Sequence, residues 1–268
     1  MKVKDLPYLL DDLDGFINSF QGRKPVLFLD YDGTLTPIVE NPEDAVISPE
    51  MKKAVDRLSG LIPVYIVSGR DLQDVKKLVG LNDLIYAGSH GFDIEGPDGF
   101  KKQHPDAVNC LPQFDHTEKV LREKLNEIQG AKVERKLFAI AVHYRQVKEA
   151  EVEKVENLVK TIHQEEDCFK LAGGKKIFEL KPNLEWNKGY AVLWLLEKLH
   201  GQDENVVPIY FGDDLTDEDA FEALKKVDGF GVLVGDHESD TESSFYLEEP
   251  SEVQTVFTQL IKFLEKIH

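Results

Sequence analysis

Only two cysteines, Cys110 and Cys168, occur in 268 residues. So distant a pair has none of the short spacings of a thiolate metal site. A chain of this length also needs no disulfide staples, so free thiols in a reducing cytoplasm are expected. Positive charge is scarce too: 32 Lys and Arg face 50 Asp and Glu, a net charge of −18. That balance argues against a sequence-independent grip on nucleic acid or an anionic membrane, since both depend on clustered cations. An anionic small molecule stays admissible if local cations and a metal overcome a repulsive background that salt screens beyond roughly 8–10 Å. Long hydrophobic runs are missing as well. Leu9 and Leu10 are followed by Asp11, Asp12 and Asp14, which suits neither a signal-peptide core nor a membrane span. No repeat or low-complexity tract stands out, and the length fits one large domain or a core with an insertion.

Strands and helices alternate over the first hundred residues, which favours a parallel sheet. Strands are expected at 26–30, 62–67 and 84–87. Ser48-Pro49 opens a helix running to Leu58, with proline at the first helical position, and a short amphipathic helix follows at 71–79. Beyond about Lys101 the pattern changes. A helix at 117–129 closed by Gly130, a long β-type run at 133–144, a helix at 150–163 and a strand at 175–181 read as α+β. The alternation then resumes with a helix at 188–200, a strand at 206–211, a helix at 217–226, a strand at 230–234 and a final helix at 252–266. The fold class expected is therefore α/β, a doubly wound, mostly parallel, Rossmann-like core at 1–107 and 185–268, with an inserted α+β cap at 108–184.

Two acidic strings end apolar runs. Asp30-Tyr31-Asp32-Gly33-Thr34 follows Val26–Leu29, and Gly212-Asp213-Asp214-Leu215-Thr216-Asp217-Glu218-Asp219 follows Val206–Phe211. Ligands of open α/β sheets bind outside the carboxyl ends of strands, so both strings fall where a site is expected. If both strands share one sheet, Asp30, Asp32, Asp213, Asp214 and Asp217 converge, and their repulsion calls for a counter-ion. Oxygen ligands favour magnesium over zinc or calcium for a phosphate substrate. Thr216 and Asp219 also form a capping box, to which Asp219 is assigned. Ser68-Gly69-Arg70 ends the strand at 62–67, offering a hydroxyl and a guanidinium to phosphate oxygens. Lys188 opens the helix at 188–200, an end whose dipole favours anions, so a functional Lys is expected there.

These motifs resemble, in order, the four signatures of the haloacid dehalogenase-like phosphotransferases. Further strings narrow the resemblance to trehalose-6-phosphate phosphatases: Gly88-Ser89-His90-Gly91, Val133-Glu134-Arg135-Lys136, Ala141-Val142-His143-Tyr144-Arg145, Phe178-Glu179-Leu180-Lys181-Pro182 and Trp186-Asn187-Lys188-Gly189. The resemblance implies Asp30 as a nucleophile forming an aspartyl-phosphate, and Asp32 as the acid and then the base. It implies magnesium on Asp30, the Asp32 carbonyl and Asp213, with Asp214 and Asp217 ligating or orienting metal waters. Ser68 and Lys188 would hold the phosphoryl oxygens, assisted by Arg70.

The resemblance further implies that Glu134, Lys136, His143, Arg145, Glu179 and Lys181, with Gly91, hydrogen-bond the sugar hydroxyls, and a cap closing over the core would exclude water as a lid. The family usually has Arg where this chain has Lys181, a swap that keeps charge but loses bidentate geometry. Strand parity adds a condition. In one continuous strand at 133–145, Glu134 and Lys136 would oppose His143 and Arg145, so a turn near 135–137 is favoured. The expected enzyme is a monomeric, cytoplasmic, magnesium-dependent phosphatase acting on trehalose 6-phosphate. Two readings stand beside it: a same-fold phosphatase for sucrose phosphate, mannosyl-3-phosphoglycerate or glucosylglycerol phosphate, and a non-catalytic regulatory domain.

Overall fold

The computed structural model describes residues 2–39, 41–174, 176–201, 203–237 and 239–267. The chain forms two compact units, Met1–Lys102 with Trp186–His268, and Gln103–Glu185 between them in sequence. The first segment runs α1 (Leu13–Asn18), β1 (Lys24–Leu29), α2 (Pro49–Ser59), β2 (Val64–Val67), α3 (Leu72–Val79), β3 (Ile85–Gly88), β4 (Asp93–Glu95) and β5 (Lys101–Gln103). The middle segment holds α4 (Pro105–Asn109), α5 (Leu111–Leu125), β6 (Lys132–Lys136), β7 (Ala139–His143), α6 (Glu149–Glu165), β8 (Phe169–Gly174) and β9 (Ile177–Pro182). The last segment adds α7 (Lys188–His200), β10 (Val206–Gly212), α8 (Glu218–Leu224), β11 (Phe230–Val234), β12 (Phe245–Leu247) and α9 (Pro250–Ile267).

The larger unit is built on one sheet of order β12-β11-β10-β1-β2-β3-β4-β5. Pairing is parallel from β12 to β3 and antiparallel between β3 and β4. Val26 to Leu29 are all buried because both faces of the sheet are covered, as a parallel sheet requires. Leu27 and Leu29 join the α2 and α9 side chains, including Val55, Val256 and Phe257. Val26 and Phe28 join the α7 and α8 side chains Val192, Leu195 and Phe221. The chain winds outward from β1 through β2 and β3, and from β10 through β11 and β12. The order therefore reverses between β1 and β10, the switch point where open α/β sheets bind ligands.

The inserted unit is a four-stranded sheet of order β6-β7-β9-β8, antiparallel throughout. One face carries Val133, Ile140, Val142, Leu180 and Phe169 onto Phe114, Leu121, Val155 and Val159 of α5 and α6. The expected β-type run at 133–144 splits into β6 and β7 around Leu137-Phe138. The strand β8 was not expected, because Gly173 and Gly174 end a run whose alternation is short. The helix placed at 117–129 instead spans Leu111–Leu125, with proline in its first turn where no amide donor is needed. The expectation of two free thiols is corrected, for Cys110 and Cys168 are joined as a disulfide. Cys110 precedes α5 and Cys168 precedes β8, and the Phe114 ring of α5 packs 4.7 Å from that of Phe169 in β8, which brings together residues whose spacing carried no signal. The inference of a reducing compartment from free thiols loses its basis with them. Among the described residues no helix is long and apolar enough to cross a membrane.

Candidate active site

Register alone brings the two acidic strings together. Leu29 of β1 pairs with Phe211 of β10, and the Asp30 amide donates to the Phe211 carbonyl at 2.9 Å. Asp30 and Asp213 thus leave neighbouring strand ends side by side. Gly33 makes the approach close enough: its φ is +72°, and a Cβ there would lie 1.9 Å from Asp213 Oδ2. Any other residue would be both strained and in collision. Ser68 follows β2 on the other side of β1, and Lys188 is the first residue of α7, whose N-cap Asn187 accepts from the Tyr190 amide at 3.0 Å.

Carboxylate oxygens of Asp30, Asp213 and Asp217 all lie within 4.8 Å of one another. Lys188, 2% exposed, is the cation among them, with Nζ at 2.7 Å from Asp217 Oδ1 and 3.2 Å from Asp30 Oδ1. Burial works against its charge, but Asp217 and Asp30 outweigh burial and hold the ammonium protonated well above the usual lysine range. The Asp30 carboxyl is pushed up, first by burial and then by Asp217 and Asp213, with Lys188 opposing. Burial, followed by Asp217 and Asp214, pushes Asp213 up to about 8. Three clustered carboxylates with one ammonium are short of positive charge, so a hard divalent cation fits this donor set.

The remaining acids are occupied. Asp217 Oδ1 accepts from the Tyr210 hydroxyl at 2.5 Å, and its Oδ2 accepts from the Asp213 and Asp214 amides at 3.1 Å. Asp217 thereby sets the shape of the turn carrying Asp213 as well as holding Lys188. Asp214 Oδ1 accepts from the Thr216 amide and hydroxyl, both at 2.7 Å. The expected Thr216–Asp219 box does not form in that way, because the Thr216 hydroxyl turns back to Asp214 and α8 begins without a side-chain cap.

Ser68 is buried and its Oγ accepts from the Arg70 amide at 3.1 Å. The loop after β3 braces it: Ser89, His90 and Gly91 have φ of 50°, 57° and 89°, all left-handed. The Ser89 amide donates to the Arg70 carbonyl at 2.6 Å and the His90 amide to the Ser68 carbonyl at 2.9 Å. Two consecutive non-glycine residues in that region cost of order 1–3 kcal/mol each, and such strain clusters at functional loops. Gly91 lies against α7, where a Cβ would stand 2.2 Å from Ala191 Cβ. Arg70, expected to point at phosphate, instead grips Asp32, with Nε at 2.7 Å from Oδ2 and Nη2 at 2.6 Å from Oδ1.

In the inserted unit the turn between β6 and β7 puts the expected sugar-binding residues on one face. Glu134 pairs with Ala141, Ala141 with Glu179 and Glu179 with Ala172, while Lys136 pairs with Ala139 and Lys181 with Lys170. Directly paired residues share a face, and His143 lies two residues from Ala141 along β7. The centre of this face is floored by alanine and its rim is charged. His143 Nε2 lies 2.8 Å from Glu134 Oε2, and Glu179 receives Lys136 at 3.2 Å and Lys181 at 2.8 Å. Burial alone would raise the Glu179 carboxyl, yet the two lysines outweigh it and hold it below its usual range. Arg145 stands apart, exposed in the turn after β7. Sequence reasoning missed Tyr210 and Asp74; of these only Asp74, four residues beyond Arg70, carried a readable signal.

The trehalose-phosphatase family profile matches residues 28–251. Trehalose-phosphate phosphatase B of Arabidopsis thaliana is 38% identical over 270 residues, covering 97% of this chain and 72% of that protein. Probable trehalose-phosphate phosphatase 4 of Oryza sativa subsp. japonica is 40% identical over 272 residues, covering 98% and 73%. Among solved structures, the C-terminal domain of the C. albicans trehalose-6-phosphate phosphatase superposes with a TM-score of 0.75 at 26% identity, over 96% of this chain and 98% of that one. A paired-carboxylate strand end, a second acidic strand end beside it and a buried lysine between them therefore sit within matches that span nearly the whole sequence, and the chain belongs to the trehalose-phosphatase family.

Proposed function

We propose that the protein is a magnesium-dependent phosphatase that converts trehalose 6-phosphate to trehalose and phosphate through an aspartyl-phosphate on Asp30. The observation that carries this reading is Asp30 itself. It is buried at the switch point of the sheet, paired with Lys188 at 3.2 Å and set beside Asp213. A carboxylate is a weak nucleophile, so positioning must supply much of the rate. Asp30 attacks phosphorus in line, Asp32 gives a proton to the departing sugar oxygen, and the same Asp32 then takes a proton from the water that hydrolyses the intermediate. Lys188 and the Ser68 hydroxyl hold the phosphoryl oxygens where charge spreads during transfer. Asp30, Asp213 and the Asp32 carbonyl would hold magnesium, with Asp217 orienting them, and the ion would supply positive charge against that charge.

The charged rim of the inserted sheet, Glu134, Lys136, His143, Glu179 and Lys181, together with Arg145 in the turn after β7, is proposed to recognise the sugar hydroxyls. The partner proposed is a small sugar phosphate, and the working unit proposed is a monomer. A panel of sugar phosphates assayed for phosphate release, with magnesium and with a chelator, tests the proposal. Trehalose 6-phosphate should be the best substrate and chelation should abolish turnover. Inert trehalose 6-phosphate with active sucrose phosphate would overturn the substrate, and release unaffected by chelation would overturn the metal.

A further inference from the structure

Arg70 was expected to meet phosphate, but the structure spends its donors elsewhere. A guanidinium has five N–H groups. In Arg70 they go from Nε to Asp32 Oδ2 at 2.7 Å, from Nη2 to Asp32 Oδ1 at 2.6 Å and to the Pro42 carbonyl at 2.8 Å, and from Nη1 to Asp74 Oδ2 at 2.9 Å. That leaves one N–H, too few to fork a phosphate. The Arg70 side chain is 11% exposed whereas the Asp32 side chain is 41% exposed, so the guanidinium is the buried partner and the carboxylate the one open to solvent and substrate. The guanidinium also lies over the Tyr31 ring at 5.5 Å, and the Tyr31 hydroxyl donates to the Ala45 carbonyl at 2.7 Å. The loop after β1 is thus anchored at both ends of the fork.

We propose that Arg70 is the positioning residue of Asp32, holding the carboxyl that exchanges protons with the sugar oxygen and with water, and that Asp74 and the Pro42 carbonyl hold Arg70 for that task. A bidentate Arg–carboxylate pair fixes position and plane together, which a single lysine contact does not. As the Asp30 oxygen–phosphorus bond forms and the phosphorus–sugar oxygen bond breaks, a proton passes from Asp32 to the sugar oxygen, and Asp32 is left ionised, the form whose two oxygens the fork holds. This inference rests on the proposed role of Asp32 and needs no particular sugar.

Leaving-group dependence tests it. Trehalose leaves only with a proton, whereas p-nitrophenolate leaves without one. R70A and R70K are compared with wild type in single-turnover release of trehalose from trehalose 6-phosphate and of p-nitrophenolate from p-nitrophenyl phosphate. General acid catalysis supplies about 10²–10⁴-fold, so R70A should slow trehalose release at least about tenfold while the p-nitrophenolate burst stays within about twofold. R70K should recover part of the loss. Equal losses on both substrates would overturn the proposal and return Arg70 to gripping phosphate, and no loss on either would mark the fork as a resting contact. Magnesium-induced thermal stabilisation retained in R70A excludes loss of the fold as the cause. If wild type ignores trehalose 6-phosphate, the substrate reading fails, and the Arg70 comparison is read on whichever alkyl phosphate is turned over.

Discussion

Lys188 pairs with two buried carboxylates at once, so its removal exposes the cost of the whole cluster. A K188M variant leaves Asp30 and Asp217 buried without a partner. Breaking a buried pair from one side costs about 3–5 kcal/mol, and urea unfolding of the variant should show a loss of that order together with loss of phosphate release. D30N is the milder change in shape and the sharper one in chemistry. It keeps the side-chain volume and removes the proposed nucleophile, so mass spectrometry after acid quench should find no phosphoenzyme and turnover should vanish. G33A should forfeit metal affinity, because its methyl would meet Asp213; magnesium titration of activity reads the shift. Asp30, Asp213, Ser68 and Lys188 were legible because each lies at the end of an apolar run or the start of an apolar helix. The fork from Arg70 to Asp32 was not, since a contact across 38 residues leaves no local pattern.

The edge of the main sheet is tied by charge. Glu95 of β4 receives Lys101 of β5, and Lys76 of α3 at 2.5 Å. Hydrogen bonds from Lys101 and then Lys76 hold its carboxyl down to about 2, below the ordinary 4.5. Because the folded value is depressed, the stabilisation is complete above pH 4.5 and disappears as pH falls toward 2. E95Q should flatten that part of the acid limb, which unfolding midpoints measured between pH 2 and 5 would reveal as a smaller loss than in wild type. In the inserted sheet the element that mattered most was the turn at Leu137-Phe138. Parity required a turn if Glu134 and His143 were to share a face, but the apolar run alone did not locate it. The strand β8 carried still less signal. It exists because β9 pairs with it from Phe169–Pro182 to Gly174–Ile177, so its glycines are held by a ladder rather than by propensity.

At the scale of the molecule, the net charge of −18 includes three clustered carboxylates at the switch point that one ammonium does not balance. A ligand that binds only the folded state stabilises it by about 2.7 kcal/mol at a hundred times its Kd. With roughly 2–4 °C per kcal/mol for a chain of this size, saturating magnesium should raise the unfolding temperature by about 5–10 °C over chelated protein. D213N should abolish most of that shift, and a shift of equal size in D213N would place the cation elsewhere.

The sequence by itself determined the alternation of apolar runs and helices, the class of sheet they form and the acids, hydroxyl and lysine at their ends, because these are local patterns with periods of two and about four residues. Only the tertiary structure decided which groups meet. Packing of α5 on the inserted sheet joined Cys110 to Cys168, burial on β10 turned Tyr210 onto Asp217, and the loop after β1 brought Asp32 to Arg70. Each of these pairs acts through space across many residues, and the chemistry of Asp30 depends on the charges and hydrogen bonds that this folding sets around it.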